Sequence, residues 1–193
     1  MNRRRLLLLS PLWLAGCGNS ETVFHNSVID ATRFGGAWDI HDVHGRPQQI
    51  GDFQGQVVIL FFGYTHCPDV CPTALAKYAA LLNGGAIPGG KLKILFCTLD
   101  PERDTPENLR DYLHWFDPDI LGLTGSSQQV ADFSRQFRVV AVKKDSPGGM
   151  GYVIDHTAGA YVFDPAGKLR LYLAENAKPE DILSDLLHLL AGR

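Results

Sequence analysis

Two cysteines in the stretch GYTHCPDVCP, Cys67 and Cys71, are the residues whose type and spacing best suit chemistry. They lie four positions apart, and each is followed by a proline. Residues i and i+4 of a helix have Cβ atoms about 5–6 Å apart, so both sulfurs can face one ion or, after a modest adjustment, join as a disulfide. Thiolates serve both as nucleophiles and as metal ligands. Redox exchange, metal binding and simple core packing are therefore the three alternatives for this pair.

The patterns around the pair predict where it lies in the fold. The run VVILFF, from Val57, has the continuous apolar character of a strand that is buried on both faces. The run PTALAKYAALLN has helical spacing, and Pro72 suits the first turn of a helix. Both cysteines are thus predicted at a helix N-terminus, where unpaired N–H groups and the helix dipole stabilise thiolates.

The remaining patterns predict a single α/β domain. A turn at residues 44–47, between two short apolar segments, predicts an N-terminal β-hairpin. Further along the chain the patterns predict a buried strand (KLKILFCTL), two capped helices (from Thr105 and Ser126), a short strand (RVVAV), a glycine-rich loop (143–156), a hairpin (157–174) and a closing helix (KPEDILSDLLHLLAG). This order is typical of a thioredoxin-like α/β sandwich.

His156, in YVIDHTAGAYVFD, is the best candidate for a third ligand. It stands just before the predicted hairpin, where thioredoxins place a cis-proline over their cysteine pair, so by that resemblance it projects toward Cys67 and Cys71. Structural zinc normally takes four protein ligands. Two thiolates and one imidazole, with no fourth ligand evident, suit copper better, as Cu(I) or Cu(II).

The N-terminus, MNRRRLLLLSPLWLAGC, predicts export. Three arginines, a short apolar run and small residues before Cys17 are typical of a secretory signal. The stretch Leu14–Cys17 resembles the lipobox of bacterial lipoproteins. We therefore expect a lipoprotein signal peptide at residues 1–16, a lipid anchor on Cys17, a flexible tether over residues 17–33 and the folded domain over residues 34–193. The expected location is the bacterial cell envelope, on a membrane and facing the periplasm or the cell exterior.

Composition excludes one large class of function. The formal net charge is −3, and no basic stretch of the kind that binds nucleic acid follows the N-terminal arginines. A chain of 193 residues with 45% hydrophobic content can bury one full core. Cys97 lies inside a predicted buried strand, so we expect it to act as a small core hydrophobe.

Three segments, GYTHCPDVCP, LDPERDTPENL and DHTAGAYVFDPAGKL, resemble in this order the Sco/SenC family of copper proteins involved in cytochrome c oxidase assembly. The similarity runs from about Trp38 to the C-terminal helix. The resemblance places the copper ligands on Cys67, Cys71 and His156. It implies a metallochaperone rather than an enzyme, which delivers copper to the CuA centre of oxidase subunit II or to another recipient. The alternative is a thiol–disulfide oxidoreductase that uses Cys67 and Cys71 as a redox pair to keep the CuA cysteines reduced.

The same resemblance raises further partners and residues. An upstream copper donor or a thiol reductant would supply the site. Asp100 and Asp104, in LDPERDTPENL, either shape the site or a partner surface, or belong to an ordinary strand-to-helix turn. Asp155 either orients His156 or caps a turn.

Overall fold

The computed structural model describes residues 23–146 and 151–192. The strands are β1 (Ser27–Val28), β2 (His41–Asp42), β3 (Val57–Gly63), β4 (Leu92–Thr98), β5 (Leu121–Thr124), β6 (Ala141–Asp145), β7 (Tyr152–His156), β8 (Ala160–Phe163) and β9 (Leu169–Leu173), and the helices are α1 (Val70–Asn83), α2 (Pro106–His114), α3 (Ser127–Gln136) and α4 (Pro179–Leu190). Seven strands form one sheet in the order β1-β9-β8-β3-β4-β5-β2, and β6 and β7 form a separate two-stranded sheet.

Strand β3 is the centre of the molecule. It runs parallel to β4 and antiparallel to β8, and all seven of its residues are buried. Successive side chains of a strand point to opposite faces. Ile59 and Phe61 accordingly pack in the core that α1, α2 and α4 cover, whereas Leu60 and Phe62 pack in the core that α3 covers. The predicted α/β sandwich is therefore confirmed.

Helices α2 and α3 begin where their sequences predict. The side chain of Thr105 accepts a hydrogen bond from the backbone N–H of Asn108, with Pro106 in the first turn of α2. Ser126 and Gln129 form a capping box at the start of α3. These caps satisfy backbone N–H groups that a helix leaves unpaired at its N-terminus. None of the helices within residues 23–146 and 151–192 is long and apolar enough to cross a membrane.

The predicted N-terminal hairpin is present in a short form. β2 pairs with β5 at one edge of the sheet, and a single antiparallel bridge joins His41 to Pro47. The buried carboxylate of Asp42 holds the turn, because it accepts hydrogen bonds from the backbone N–H groups of His44 (2.8 Å) and Arg46 (3.0 Å).

The predicted tether is wrong at its C-terminal end. Residues 27 and 28 form β1, which pairs with β9, and the fully buried carboxylate of Asp185 in α4 accepts hydrogen bonds from the backbone N–H groups of His25 (3.0 Å) and Asn26 (2.9 Å). The domain therefore begins before residue 34. The local sequence looked like a linker because these contacts join residues about 160 positions apart. The predicted signal peptide, Cys17 and the first part of the tether lie outside the described residues.

The glycine-rich loop predicted over residues 143–156 is also wrong over much of its length. Residues 143–145 belong to β6 and residues 152–156 to β7, and the two strands pair antiparallel with Ala141 opposite His156. Every residue of β6 is exposed. The predicted strand RVVAV, residues 138–142, overlaps β6 only at residues 141 and 142. The rest of β6 has no buried face and therefore no apolar alternation, so the usual sequence signal is missing there.

Candidate metal centre

The two cysteines lie where β3 gives way to α1. Cys67 is in the loop between them and is half-buried, and Cys71, in the first turn of α1, is fully buried. The backbone N–H of Cys71 points at the Sγ of Cys67, with an N–S distance of 3.5 Å. Both thiols are free. The helix N-terminus thus presents a donor to one of the two sulfurs, as the sequence predicted.

Gly63, the last residue of β3, makes room for the pair. A Cβ atom at this position would lie 2.7 Å from the Sγ of Cys71 and 2.9 Å from the ring of Phe96. Real Cβ atoms do not make contacts this close, so only glycine fits. Our sequence analysis did not single out Gly63, although a glycine that ends a buried strand indicates a close approach of this kind.

His156 ends β7 and faces the cysteines. Its Nδ1–H donates to the carbonyl oxygen of Thr157 (3.0 Å), and because a carbonyl can only accept, this bond fixes the tautomer. The other ring nitrogen, Nε2, lies 3.4 Å from the Sγ of Cys71. The ring contacts Phe61 and Tyr64, with centroid separations of 6.4 and 6.0 Å.

Cys67, Cys71 and His156 together form a group that could hold a metal ion in the described part of the chain. One ligand atom from each of Cys67, Cys71 and His156 lies within 4.8 Å of the other two. The remaining histidine close in sequence, His66, points elsewhere: its Nδ1 lies 3.0 Å from the Oγ1 of Thr65 and 3.6 Å from Asp104. The structure therefore brings together the three residues that the sequence analysis selected.

The surroundings of the two cysteines shift their pKa values in opposite directions. A hydrogen bond from the Cys71 thiol, with smaller contributions from His156 and from the backbone N–H groups of Asp69 and Cys71, outweighs burial and holds the pKa of Cys67 well below its ordinary value. The negative sulfur of Cys67 and burial raise the pKa of Cys71. The pair at neutral pH is therefore one thiolate beside one thiol. Burial also raises the pKa of Cys97, which is fully buried in β4 and away from this group, as expected of a core residue.

Asp100 and Asp104 are fully buried and hold the backbone segments around the site. Asp104 accepts hydrogen bonds from the backbone N–H (3.0 Å) and the hydroxyl (2.6 Å) of Thr65, two residues before Cys67. Asp100 accepts a hydrogen bond from the hydroxyl of Tyr152 in β7 (2.6 Å). The side chains of these two carboxylates therefore bind the segments that lead to Cys67 and His156, and a role in shaping the site stays a prediction.

Asp155 has a different place from the one proposed for it as a partner of His156. Its carboxylate forms an exposed ion pair with Lys144 of the neighbouring strand. The group that orients the imidazole is the carbonyl oxygen of Thr157. Sequence reasoning missed this partner because every residue has a carbonyl, so no residue type marks it.

A cleft of about 470 Å³ opens beside Cys67 and His156. Its walls include the apolar side chains of Pro68, Val70 and Val153. The buried sulfur of Cys71 forms the inner side of the group, and Cys67 faces the opening. An incoming group therefore meets the more acidic sulfur first.

Comparison with known proteins decides the family. The family model for SCO1/SenC matches residues 26–191. The chain belongs to the SCO1/SenC family. The matched region begins before Trp38, where the resemblance in the sequence began, and includes β1.

Curated relatives of this family occur in fungi, animals and bacteria. The chain is 35% identical to Protein sco1 of Schizosaccharomyces pombe over 159 residues, which cover 81% of this chain and 60% of that protein. It is 35% identical to the mitochondrial SCO2 homolog of Homo sapiens over 193 residues, which cover 93% of this chain and 73% of that protein. A SCO2-like protein of Rickettsia conorii is 32% identical over 167 residues, 83% of this chain and 79% of that protein.

Solved structures of Sco proteins have the same fold. ScoI of Bradyrhizobium japonicum with copper bound is 35% identical, with a TM-score of 0.72 over 81% of this chain and 99% of that one. Yeast Sco1 with copper bound is 31% identical, with a TM-score of 0.73 over 83% of this chain and 90% of that one. The thioredoxin-like fold predicted from the order of elements is thus confirmed.

Proposed function

We propose that this protein binds one copper ion through Cys67, Cys71 and His156 and delivers it to a recipient protein. The observation that carries the proposal is the convergence of two sulfurs and one imidazole nitrogen within 4.8 Å. Thiolates select Cu(I), and imidazole suits copper in either state. The copper-bound Sco structures of Bradyrhizobium japonicum and yeast support the choice of metal.

Copper binding and copper release change the protonation of the two cysteines in opposite directions. Cys67 already carries a thiolate, and Cys71 must lose its proton when metal binds, because a metal ligand has to be deprotonated. His156 offers Nε2 to the metal, because its Nδ1 is engaged with the carbonyl oxygen of Thr157. Each copper that enters therefore displaces about one proton from the pair, and a proton returned to Cys71 assists its departure.

Handover requires a route for incoming ligands. The cleft beside Cys67 and His156 gives a partner's side chains access to the metal from one side, while the core closes the other side. We propose ligand exchange at this opening, with thiolates of the recipient replacing one donor at a time. The family resemblance favours the CuA centre of cytochrome c oxidase subunit II as the recipient, and an upstream copper donor or thiol reductant as the supplier.

The second candidate function is reduction of the recipient's cysteines. The unequal acidities of Cys67 and Cys71 favour it, because a thiolate beside a buried thiol is suited to disulfide exchange. The Cys67 thiolate would attack the recipient's disulfide to form a mixed disulfide. Cys71 would then attack Cys67, which leaves an oxidised Cys67–Cys71 pair and a reduced recipient.

A single substitution distinguishes the two functions. His156→Ala removes a metal ligand but leaves both sulfurs, so a chaperone loses oxidase assembly at low copper while its thiol exchange persists. The measurement is oxidase activity in a bacterial strain that lacks its own SCO1/SenC protein and is complemented with this variant. His44→Ala, at an exposed histidine in the turn after β2, is the matched control. Full oxidase assembly by His156→Ala at low copper would favour the reductase instead.

We also propose that the protein is attached to a membrane of the bacterial cell envelope through a lipid on Cys17. The support is the pattern of residues 1–17, and the bacterial relatives agree with a bacterial setting. Feeding cells a labelled fatty acid tests this directly. The label should appear on the wild-type protein and be absent from Cys17→Ala. An unlabelled wild-type protein would contradict the anchor.

A further inference from the structure

The strand that carries His156 is not part of the main sheet. Within the described residues, β6 and β7 pair only with each other. An isolated two-stranded hairpin is marginally stable at best in water. Other contacts must therefore hold this hairpin, and with it the imidazole, against the cysteines.

Several of these contacts converge on Arg103, in the turn after β4. Its Nη1 donates to the carbonyl oxygen of Tyr152 in β7 (2.9 Å). Its guanidinium lies 3.7 Å from the ring centroid of Tyr152 and 5.7 Å from that of Tyr64. Tyr64 belongs to the cysteine loop, and its hydroxyl accepts a hydrogen bond from the backbone N–H of Ile154 (3.1 Å). Arg103 thus contacts both the segment that carries the sulfurs and the strand that carries the histidine.

Asp100 holds Arg103 and Tyr152 in this arrangement through hydrogen bonds. Its fully buried carboxylate accepts hydrogen bonds from the Nε of Arg103 and from the hydroxyl of Tyr152 (2.6 Å). Its backbone N–H donates to the hydroxyl of Thr98 (2.9 Å), which donates to Asp104 (2.6 Å). Because Asp104 holds Thr65, one continuous chain of hydrogen bonds joins the two halves of the metal group.

The burial of Arg103 indicates that its place is specific. The side chain is 23% exposed, and its Nη2 is buried without a hydrogen-bond partner. A surface arginine with no structural role would extend this nitrogen into water. The rings of Tyr64 and Tyr152 offer this planar cation a stacking contact, whose geometry the compact ammonium group of a lysine does not share.

We propose that Arg103 is a positioning residue that clamps the histidine-bearing hairpin onto the cysteine loop. This inference rests on the proposed function for its consequence, which is that loss of the clamp turns a three-donor metal site into a two-sulfur site. The clamp itself is a property of the metal-free protein and is testable without copper.

The first test is amide hydrogen exchange in the metal-free protein. Arg103→Gln removes a hydrogen bond and a cation–π contact, so exchange at the Ile154 amide should rise by about 10-fold or more. The amide of Ile59 in β3 should keep its rate. Arg110→Gln, at an exposed arginine of α2 paired with Asp111, is the matched control and should change neither rate. Unchanged exchange at Ile154 in Arg103→Gln would overturn the proposal.

The second test is a double-mutant cycle on Cu(I) affinity, measured by competition with a chelator. Arg103→Gln should weaken binding by about 10–100-fold, the range observed when a partner of a metal ligand is removed. Since the clamp acts through the histidine, the same change should have little effect in His156→Ala. Equal losses in both backgrounds would show a general structural effect and overturn the proposal. Arg103→Lys, which keeps the charge without the planar fork, should restore only part of the affinity.

Two results keep the clamp and the proposed function apart. If the wild-type protein binds no copper, the proposed function fails, while the exchange rates still decide the clamp. If Arg103→Gln does not fold, Arg103→Lys replaces it, because this change keeps the positive charge and loses the planar guanidinium that contacts Tyr152. Arg103→Lys should raise exchange at Ile154 by a smaller factor, and no rise would overturn the proposal.

Discussion

The cysteine side and the histidine side of the metal group are built in different ways. Cys71 lies in α1, whose buried face packs on β3 in the centre of the sheet, and a large apolar core surrounds it. His156 lies on the hairpin of β6 and β7. The first strand of this hairpin is wholly exposed, and hydrogen bonds of Arg103 and Tyr152 attach the hairpin to the domain. Cys71 thus belongs to the core, and Cys67 lies half-buried at its edge. His156 instead depends on the hairpin, which the buried side chain of Ile154 and a few polar contacts attach to the domain.

This difference separates two chemical abilities in one protein. Disulfide exchange needs only the two sulfurs, which the core holds in place. Metal retention also needs the imidazole, which the hairpin supplies. Changes in the core should therefore affect both abilities together, and changes in the hairpin should affect metal retention alone.

The largest loss of stability is expected from a change in the core on the cysteine side. Phe61→Ala removes a fully buried ring that packs on Tyr78, Phe96 and His156, and should lower the free energy of unfolding by about 3–5 kcal/mol. Urea unfolding of the metal-free protein measures the change. Val142→Ala, on the exposed strand of the hairpin, should stay within about 0.5 kcal/mol. Similar losses in the two variants would remove the contrast between the regions.

The next largest effect is expected in the order in which the two cysteines are alkylated. Because the pKa of Cys67 lies below its ordinary value and that of Cys71 above it, Cys67 should remain a thiolate as the pH falls below about 8.5, the ordinary cysteine range. In the reduced, metal-free protein we expect iodoacetamide to modify Cys67 first at a pH of about 5. Mass mapping identifies the alkylated residue.

Cys97 provides the internal control for that experiment. It is fully buried, and burial raises its pKa, so it should stay unmodified until the protein unfolds. Alkylation of Cys71 before Cys67 would contradict the assignment of the thiolate.

The local sequence predicted the cysteine side better than the histidine side. A buried strand, two cysteines and Pro72 follow one another in the chain, so short-range patterns were enough to place the pair at a helix N-terminus. The position of His156 followed only from a resemblance to thioredoxins. The predicted strand at residues 138–142 overlaps β6 only at residues 141 and 142, and the rest of the hairpin was missed because β6 has no buried face. Arg103 was missed because its contact with Tyr152 joins residues 49 positions apart.

The same limit applies at the other end of the domain. The segment from His25 to Arg33 is polar and read as a tether, yet Asp185 and β9 hold its first residues. Capping residues such as Thr105 were predictable because they act on their own helix. Contacts between distant segments have no such local signal.

The smallest effect is expected at Asp155. Asp155→Asn breaks an exposed ion pair with Lys144, and such pairs contribute about 0–1 kcal/mol. Since Thr157 orients His156, Cu(I) affinity should change by less than about threefold. Chelator competition measures it, with Lys144→Gln as the matched variant on the other side of the pair. A loss as large as that of His156→Ala would restore Asp155 as a partner of the imidazole.

The central claim is that one copper ion is held jointly by the core and the hairpin, and X-ray absorption at the copper edge of the Cu(I)-loaded protein tests it most directly. For the wild type we predict two sulfur neighbours, from Cys67 and Cys71, and one imidazole nitrogen. His156→Ala should keep both sulfurs and lose the nitrogen, while His44→Ala should match the wild type. Imidazole scattering that persists in His156→Ala, or a wild-type site with sulfur neighbours alone, would contradict the account.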